Sequence, residues 1–386
     1  MSTKTWILSD SDTHSDLTSA NMPGLGEGWR VSQRTFCGGL RDGVQLIEVD
    51  TGQMRLSILP TRGMGIWRAE LPGGERLGWE SPVHGPVHPK FVPLTEPSGF
   101  GWLEGFDELV VRCGLESNGE PVFDENGRLQ YPLHGRIANR PAQHVSIILD
   151  DSAGTITVRG VVEETRFHFQ KLQLTASITL QVGSTSFTMD DQIKNVGGTP
   201  AGMQMLYHIN FGAPLLGDGA QFVAPVRAIA PQKPVSASAI DAWQTYGPPG
   251  SDTSEQVFFF DLLSDATNQT HVLLKNADSE SGAAIRFNTE HLPSYTVWKN
   301  MVATADGYVT GLEPGTNFPN SRRFEKEQGR VVELAAGETW STQVAVDWLT
   351  SAAEVASSEQ AIRILQGDVP VQLHSEPRLG WSPAAK

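Results

Sequence analysis

Hydrophobic residues recur along this chain with a period of two far more often than with the 3.6-residue period of a helix. Residues 44–50 (VQLIEVD) and 53–59 (QMRLSIL) flank Thr51-Gly52, the pattern of a hairpin closed by a short glycine turn. The pattern returns at 145–149 and 155–162, around the turn-rich Asp150-Asp151-Ser152-Ala153-Gly154. Residues 172–182 (LQLTASITLQV) alternate almost without interruption, and a Gly-Ser turn leads into 186–196. Further hairpins are predicted between 271–275 and 283–287, and between 330–334 and 339–348 around Ala335-Ala336-Gly337-Glu338. So many consecutive hairpins, rich in Thr, Val and Ile, predict an all-β chain: a large antiparallel β-sandwich with one face of each sheet buried.

Helix is scarce. The clearest prediction spans 351–366, with Ala352, Val355, Ile362 and Leu365 near one face and Gly367 as the stop. Residues 80–100 and 210–255 are rich in Pro and Gly and lack periodicity. They are expected as long loops over a sandwich face, where sites tend to be built. Neither an internal repeat nor a linker divides the chain. The expectation is a single domain over 1–386, with its core at roughly 40–350 and a C-terminal helix at roughly 351–366.

Composition narrows the function. With 386 residues, 39% hydrophobic and 19% charged, the chain can bury a large core. Its net charge of −15, from 44 acidic against 29 basic residues, repels nucleic acid and anionic membrane. The two cysteines, Cys37 and Cys113, make no disulfide framework or zinc cluster, and Cys113 reads as a small buried apolar residue. The polar start, residues 1–12, has no apolar core of signal-peptide length, and no stretch approaches the ~20 apolar residues that span a bilayer. A cytoplasmic protein is expected, with a small carbohydrate as ligand, a homodimer as its assembly, and no nucleic-acid or membrane partner.

Three segments carry candidate chemistry: Leu133-His134-Gly135-Arg136, Tyr207-His208-Ile209-Asn210-Phe211 and Gly311-Leu312-Glu313-Pro314-Gly315. Each has an ordinary explanation when taken alone. His134 suits a turn, His208 a hydrogen-bonded core position, and Glu313 a solvated turn. His84 and His88 stand at a helical metal-ligand spacing, but Pro82, Pro86 and Pro89 argue against a helix there, and no metal is expected.

In order and context the three segments resemble the aldose 1-epimerase (galactose mutarotase-like) superfamily. Members share a large β-sandwich, a Leu-His-Gly segment, a His with an aromatic three residues on, and a Leu-Glu-Pro segment near the C-terminus. Leu133-His134-Gly135, His208 with Phe211, and Leu312-Glu313-Pro314 follow that order over roughly residues 40–350. Gly105-Phe106-Asp107-Glu108, Arg112-Cys113-Gly114-Leu115 and the run from Gly311 to Asn320 suggest an uncharacterised bacterial branch. The resemblance implies Glu313 as general base, His208 as general acid and His134 as a ligand of the ring or C1 oxygen, with no cofactor. A Glu–His couple suits ring opening of a hemiacetal, which needs one proton acceptor and one donor near neutral pH.

The sugar-touching arginine of the family lies in a Gly-Arg-x-x-x-Arg segment upstream of the first His. Here Gly135-Arg136 to Arg140 follows His134 instead, so Arg136 and Arg62 are both candidates for that role. Asp107 is the candidate for the family's hydroxyl-reading aspartate, and Asn210 is placed with the substrate-binding residues. Trp79, Trp102, Phe106, Trp298 and Phe318 are candidates to pack on a sugar face, Trp298 foremost. The expected activity is interconversion of sugar anomers. The alternatives are an isomerase, epimerase or lyase of a keto, acidic or phosphorylated sugar, with Arg62, Arg112, Arg136, Arg140, Arg322 and Arg323 available for a basic pocket, or a non-catalytic carbohydrate-binding protein.

Overall fold

Alternation along the chain becomes alternation of burial in the computed structural model, which describes residues 3–9, 28–250 and 254–385. In the strand Lys171–Gln181 every second side chain, from Leu172 to Leu180, is buried. This strand belongs to a nine-stranded sheet in the order Thr3–Ser9, His144–Asp150, Thr155–Thr165, Lys171–Gln181, Ser186–Asn195, Thr339–Leu349, Gly282–Asn288, Gln269–Lys275 and Gln221–Val223. Its long neighbours pair antiparallel in unbroken register, as in Ile156↔Leu180 and Ile178↔Met189. Residues 3–9 of the polar N-terminal stretch form the edge strand; the rest of 1–12 lies outside the described residues.

The second sheet has thirteen strands among the described residues. Its centre runs Gly65–Glu70, Val110–Leu115, Ala201–Phe211, Val309–Gly315, Ser294–Asn300, Gln256–Leu262. A continuous apolar cluster lies between the sheets, joining Ile58, Met205 and Val297 on one side to Ile147, Ile178 and Val346 on the other. The architecture is an all-β sandwich with little helix. The one long helix, Ala352–Gln366, is capped by the Ser351 side chain and ends at Gly367. It buries Val355, Ser358 and Ile362, whereas Ala352 is exposed, so the buried stripe is narrower than predicted.

Two predicted features differ. Residues 330–334 and 339–348 are not a hairpin pair. Val332–Leu334 pairs with the start of Ala201–Phe211, while Thr339–Leu349 lies between Ser186–Asn195 and Gly282–Asn288. The Ala335 to Glu338 turn carries the chain from one sheet to the other. Residues 210–255 are not all loop either, for Gln221–Val223 and Val226–Pro231 each join a sheet. Strands this short show no usable periodicity; residues 251–253 lie outside the described residues.

At the centre of the larger sheet the sequence gives up simple alternation. All residues of Val110–Leu115, Ala201–Phe211 and Val309–Gly315 are buried. One face packs on the core; the other is roofed by the loops around residues 79–106, 114–137 and 232–250. Beneath the site, Arg112 and Tyr207 reach across the core to Asp191 of the opposite sheet, at 2.5 Å (Arg112 Nε to Oδ2), 2.9 Å (Arg112 Nη2 to Oδ1) and 2.7 Å (Tyr207 Oη to Oδ2). This buried clamp anchors the strands that carry the candidate site.

Candidate active site

Four adjacent strands supply the floor of a cleft of about 770 Å³, walled by Trp79, Trp102, Phe106 and Trp298. Their pleat decides which residues face it. Met205, Tyr207 and Ile209 point into the core, so Leu206 and His208 face the other way. Leu312 likewise enters the core and leaves Gly311 and Glu313 on the cleft side. His208 and Glu313 meet there, with Nε2 and Oε1 3.2 Å apart. Gly311 makes that meeting possible: a Cβ there would stand 2.6 Å from Glu313 Oε1 and 2.8 Å from His208 Cε1.

His134 comes from the roof. It adopts a left-handed backbone (φ 55°), and Gly135 passes so close to other backbone that a Cβ would meet Ser117 O at 2.0 Å. That explains the His-Gly pair physically. His134 Nδ1 lies 2.9 Å from the Asn118 carbonyl, and its ring packs edge-on against Trp102 and His208, with centroids 4.6 and 5.4 Å away.

Neighbouring groups settle the histidine protons. The Asn210 amide donates through Nδ2 to the carbonyls of Glu108 (3.0 Å) and His208 (3.2 Å), so its Oδ1 must accept from His208 Nδ1 at 2.5 Å. The hydrogen of neutral His208 is thereby held on Nδ1, and Nε2 turns a lone pair toward Glu313. The Asn118 carbonyl does the same for His134 and leaves its Nε2 an acceptor.

Burial dominates the electrostatics. It pushes the Glu313 carboxyl well above the ordinary range, reinforced by the nearby Glu255 charge. It pulls His208 well below its usual value, helped by His134 and opposed by the Asn210 hydrogen bond. His134 falls to about 4, again through burial. The couple therefore rests as a neutral pair, with one proton between Glu313 and His208.

The remaining expected site residues separate. Trp298 borders the cleft, its Nε1 donating to Glu255 at 2.7 Å. Asn210 is fully buried behind His208 and supports it instead of lining the cleft. Arg62 is fully buried, bound to Glu108 at 2.8 Å and to Gly105 O at 2.7 Å, which fixes the segment bearing Phe106. Arg136 points to Glu116 at 3.3 Å, outside the cleft wall. Asp107 accepts from Trp67 Nε1 at 2.7 Å and borders a neighbouring hollow. Phe318 stacks on Phe259 in a separate apolar cluster. None of the six arginines proposed for a basic pocket lines the cleft. Its one lysine, Lys233, is paired with Glu120 at 2.9 Å, while Glu255 and Asp306 add negative charge. Among the described residues no group of three or more His, Cys, Asp or Glu is arranged to hold a metal ion.

Three contributors escaped the sequence reading: Asn118, Glu255 and Thr296. Thr296 alternates with Trp298 along Ser294–Asn300, and that spacing was the available signal.

The sequence profile of a domain of unknown function, DUF4432, matches residues 41–347. The chain belongs to this family. Solved structures described as aldose 1-epimerase or galactose mutarotase-like proteins resemble it. A protein from Klebsiella pneumoniae subsp. pneumoniae MGH 78578, provisionally named an aldose 1-epimerase, is 36% identical, with 97% of this chain and 99% of that chain covered and a TM-score of 0.93. A galactose mutarotase-like protein from Clostridium acetobutylicum (14% identity, 84% and 99% covered, TM-score 0.57) and galactose 1-epimerase from Lactobacillus acidophilus NCFM (12%, 83% and 98%, 0.53) share the fold. No curated protein matches the chain.

Proposed function

We propose that this DUF4432 chain interconverts the anomers of an uncharged aldose by general acid–base ring opening. The supporting observation is the 3.2 Å contact between His208 Nε2 and Glu313 Oε1 on the floor of an aromatic-walled cleft. When the anomeric hydroxyl takes Glu313 as its acceptor, the shared proton passes to His208 Nε2. Glu313 then removes the O1 proton while His208 protonates the ring oxygen. The C1–O5 bond breaks and C1=O1 forms. The couple returns to its neutral form, the one burial favours, and rotation about C1–C2 followed by the reverse transfers closes the other anomer. His134, neutral with Nδ1 engaged, accepts from a sugar hydroxyl and cannot donate to the ring oxygen.

Charge selects the substrate class. A cleft that carries the Glu255 and Asp306 carboxylates and no free cation among the described residues disfavours phosphorylated or acidic sugars. A role in binding alone would need no proton-sharing couple. Polarimetry with glucose and galactose against their 6-phosphates checks this. Acceleration confined to the neutral sugars is expected; preference for a 6-phosphate would overturn the assignment.

A further inference from the structure

We propose that Thr296 reads the hydroxyl on C2 of the sugar, so that the site distinguishes 2-hydroxy from 2-deoxy aldoses; this rests on the anomer-exchange reading above. Thr296 is 1% exposed and borders the cleft, and its hydroxyl has no hydrogen-bond partner. A buried hydroxyl without a partner is unfavourable, and in a substrate cleft the missing partner is naturally supplied by the ligand. A turn about χ1 trades hydroxyl for methyl at the cleft surface.

Strand order identifies which ligand atom. Val309–Gly315 lies between Ala201–Phe211 and Ser294–Asn300. Glu313 is thus flanked by His208 on one side and by Thr296, its register partner, on the other. Directly opposed side chains on antiparallel strands stand about 5 Å apart at Cβ. In a pyranose the anomeric carbon is likewise flanked, by the ring oxygen on one side and C2 on the other. With O1 on Glu313 and O5 toward His208, the C2 substituent falls toward Thr296. The order His208, Glu313, Thr296 across the sheet matches the order O5, C1, C2 around the ring. Trp298, two residues along the same strand, continues the wall beyond Thr296.

The test compares kcat/KM for anomer exchange of glucose with 2-deoxyglucose, and of galactose with 2-deoxygalactose, by exchange NMR. For the better aldose, wild type is expected to prefer the 2-hydroxy sugar by roughly tenfold to a hundredfold. In Thr296→Val the ratio falls toward one, and in Thr296→Ser it is retained. The wild-type comparison needs no variant, so a folding defect cannot mask the result. Equal rates for the two sugars in wild type, or an unchanged ratio in Thr296→Val, would overturn the role of Thr296 and leave the exchange reading standing. Absence of acceleration on every aldose would instead overturn the exchange reading, and Thr296's role with it.

Discussion

His208 acquires its chemistry from the residues packed behind and beside it. Asn210 fixes which nitrogen is bare, and Gly311 leaves the space in which Glu313 can meet it. Gly311→Ala is therefore expected to lower kcat by about 100-fold, the scale of an ångström-sized misplacement in a reacting couple, with a much smaller change in melting temperature. Anomer-exchange kinetics beside thermal melts separate the two effects. His134 should titrate by NMR with a midpoint near 4 and stay neutral at pH 6. A midpoint near 6.5 would mean that burial does not control it, and would restore it as a donor.

Between the sheets, the Arg112–Asp191–Tyr207 clamp ties the site strands to the opposite layer. Asp191→Leu strands a buried guanidinium, and a loss of about 3–5 kcal/mol in denaturant unfolding is expected. Period-two alternation was legible where a strand has one wet face, as in Lys171–Gln181. It was illegible in Ala201–Phe211, whose eleven residues are all buried because core and roof cover both faces. The crossover at Ala335 to Glu338 reads locally as a hairpin turn, because pairing partners are a tertiary choice. Within the site, the His134, His208 and Glu313 motifs could be picked out because glycine, aromatic and proline neighbours mark them. Arg62 and Asp107 misled because a charged residue in a motif looks functional from sequence, whereas here each is buried against a partner within the fold.

Across the whole molecule the acidic balance extends into the cleft, so the surface field and the site both repel anions. No helix among the described residues is long and apolar enough to cross a membrane. Asp107 offers a global check on burial. Its carboxyl is raised to about 7, chiefly by burial and then by Glu108. The native state therefore holds a proton that the unfolded chain releases near 3.8, and this contribution to stability is lost as pH rises from about 4 through 7. Relative to wild type, Asp107→Asn should gain roughly 2–4 kcal/mol between pH 5 and pH 8 in denaturant unfolding. A pH-independent difference would contradict the assignment.

One measurement bears most directly on the shared-proton couple: anomer-exchange NMR on the best neutral aldose, comparing wild type, Glu313→Gln, His208→Asn and the double variant. Because the two proton transfers belong to one coupled step, each single variant should lose roughly 10²–10⁴-fold, and the double variant scarcely more. Either single variant keeping wild-type exchange, or losses that multiply in the double variant, would contradict a couple acting as one unit.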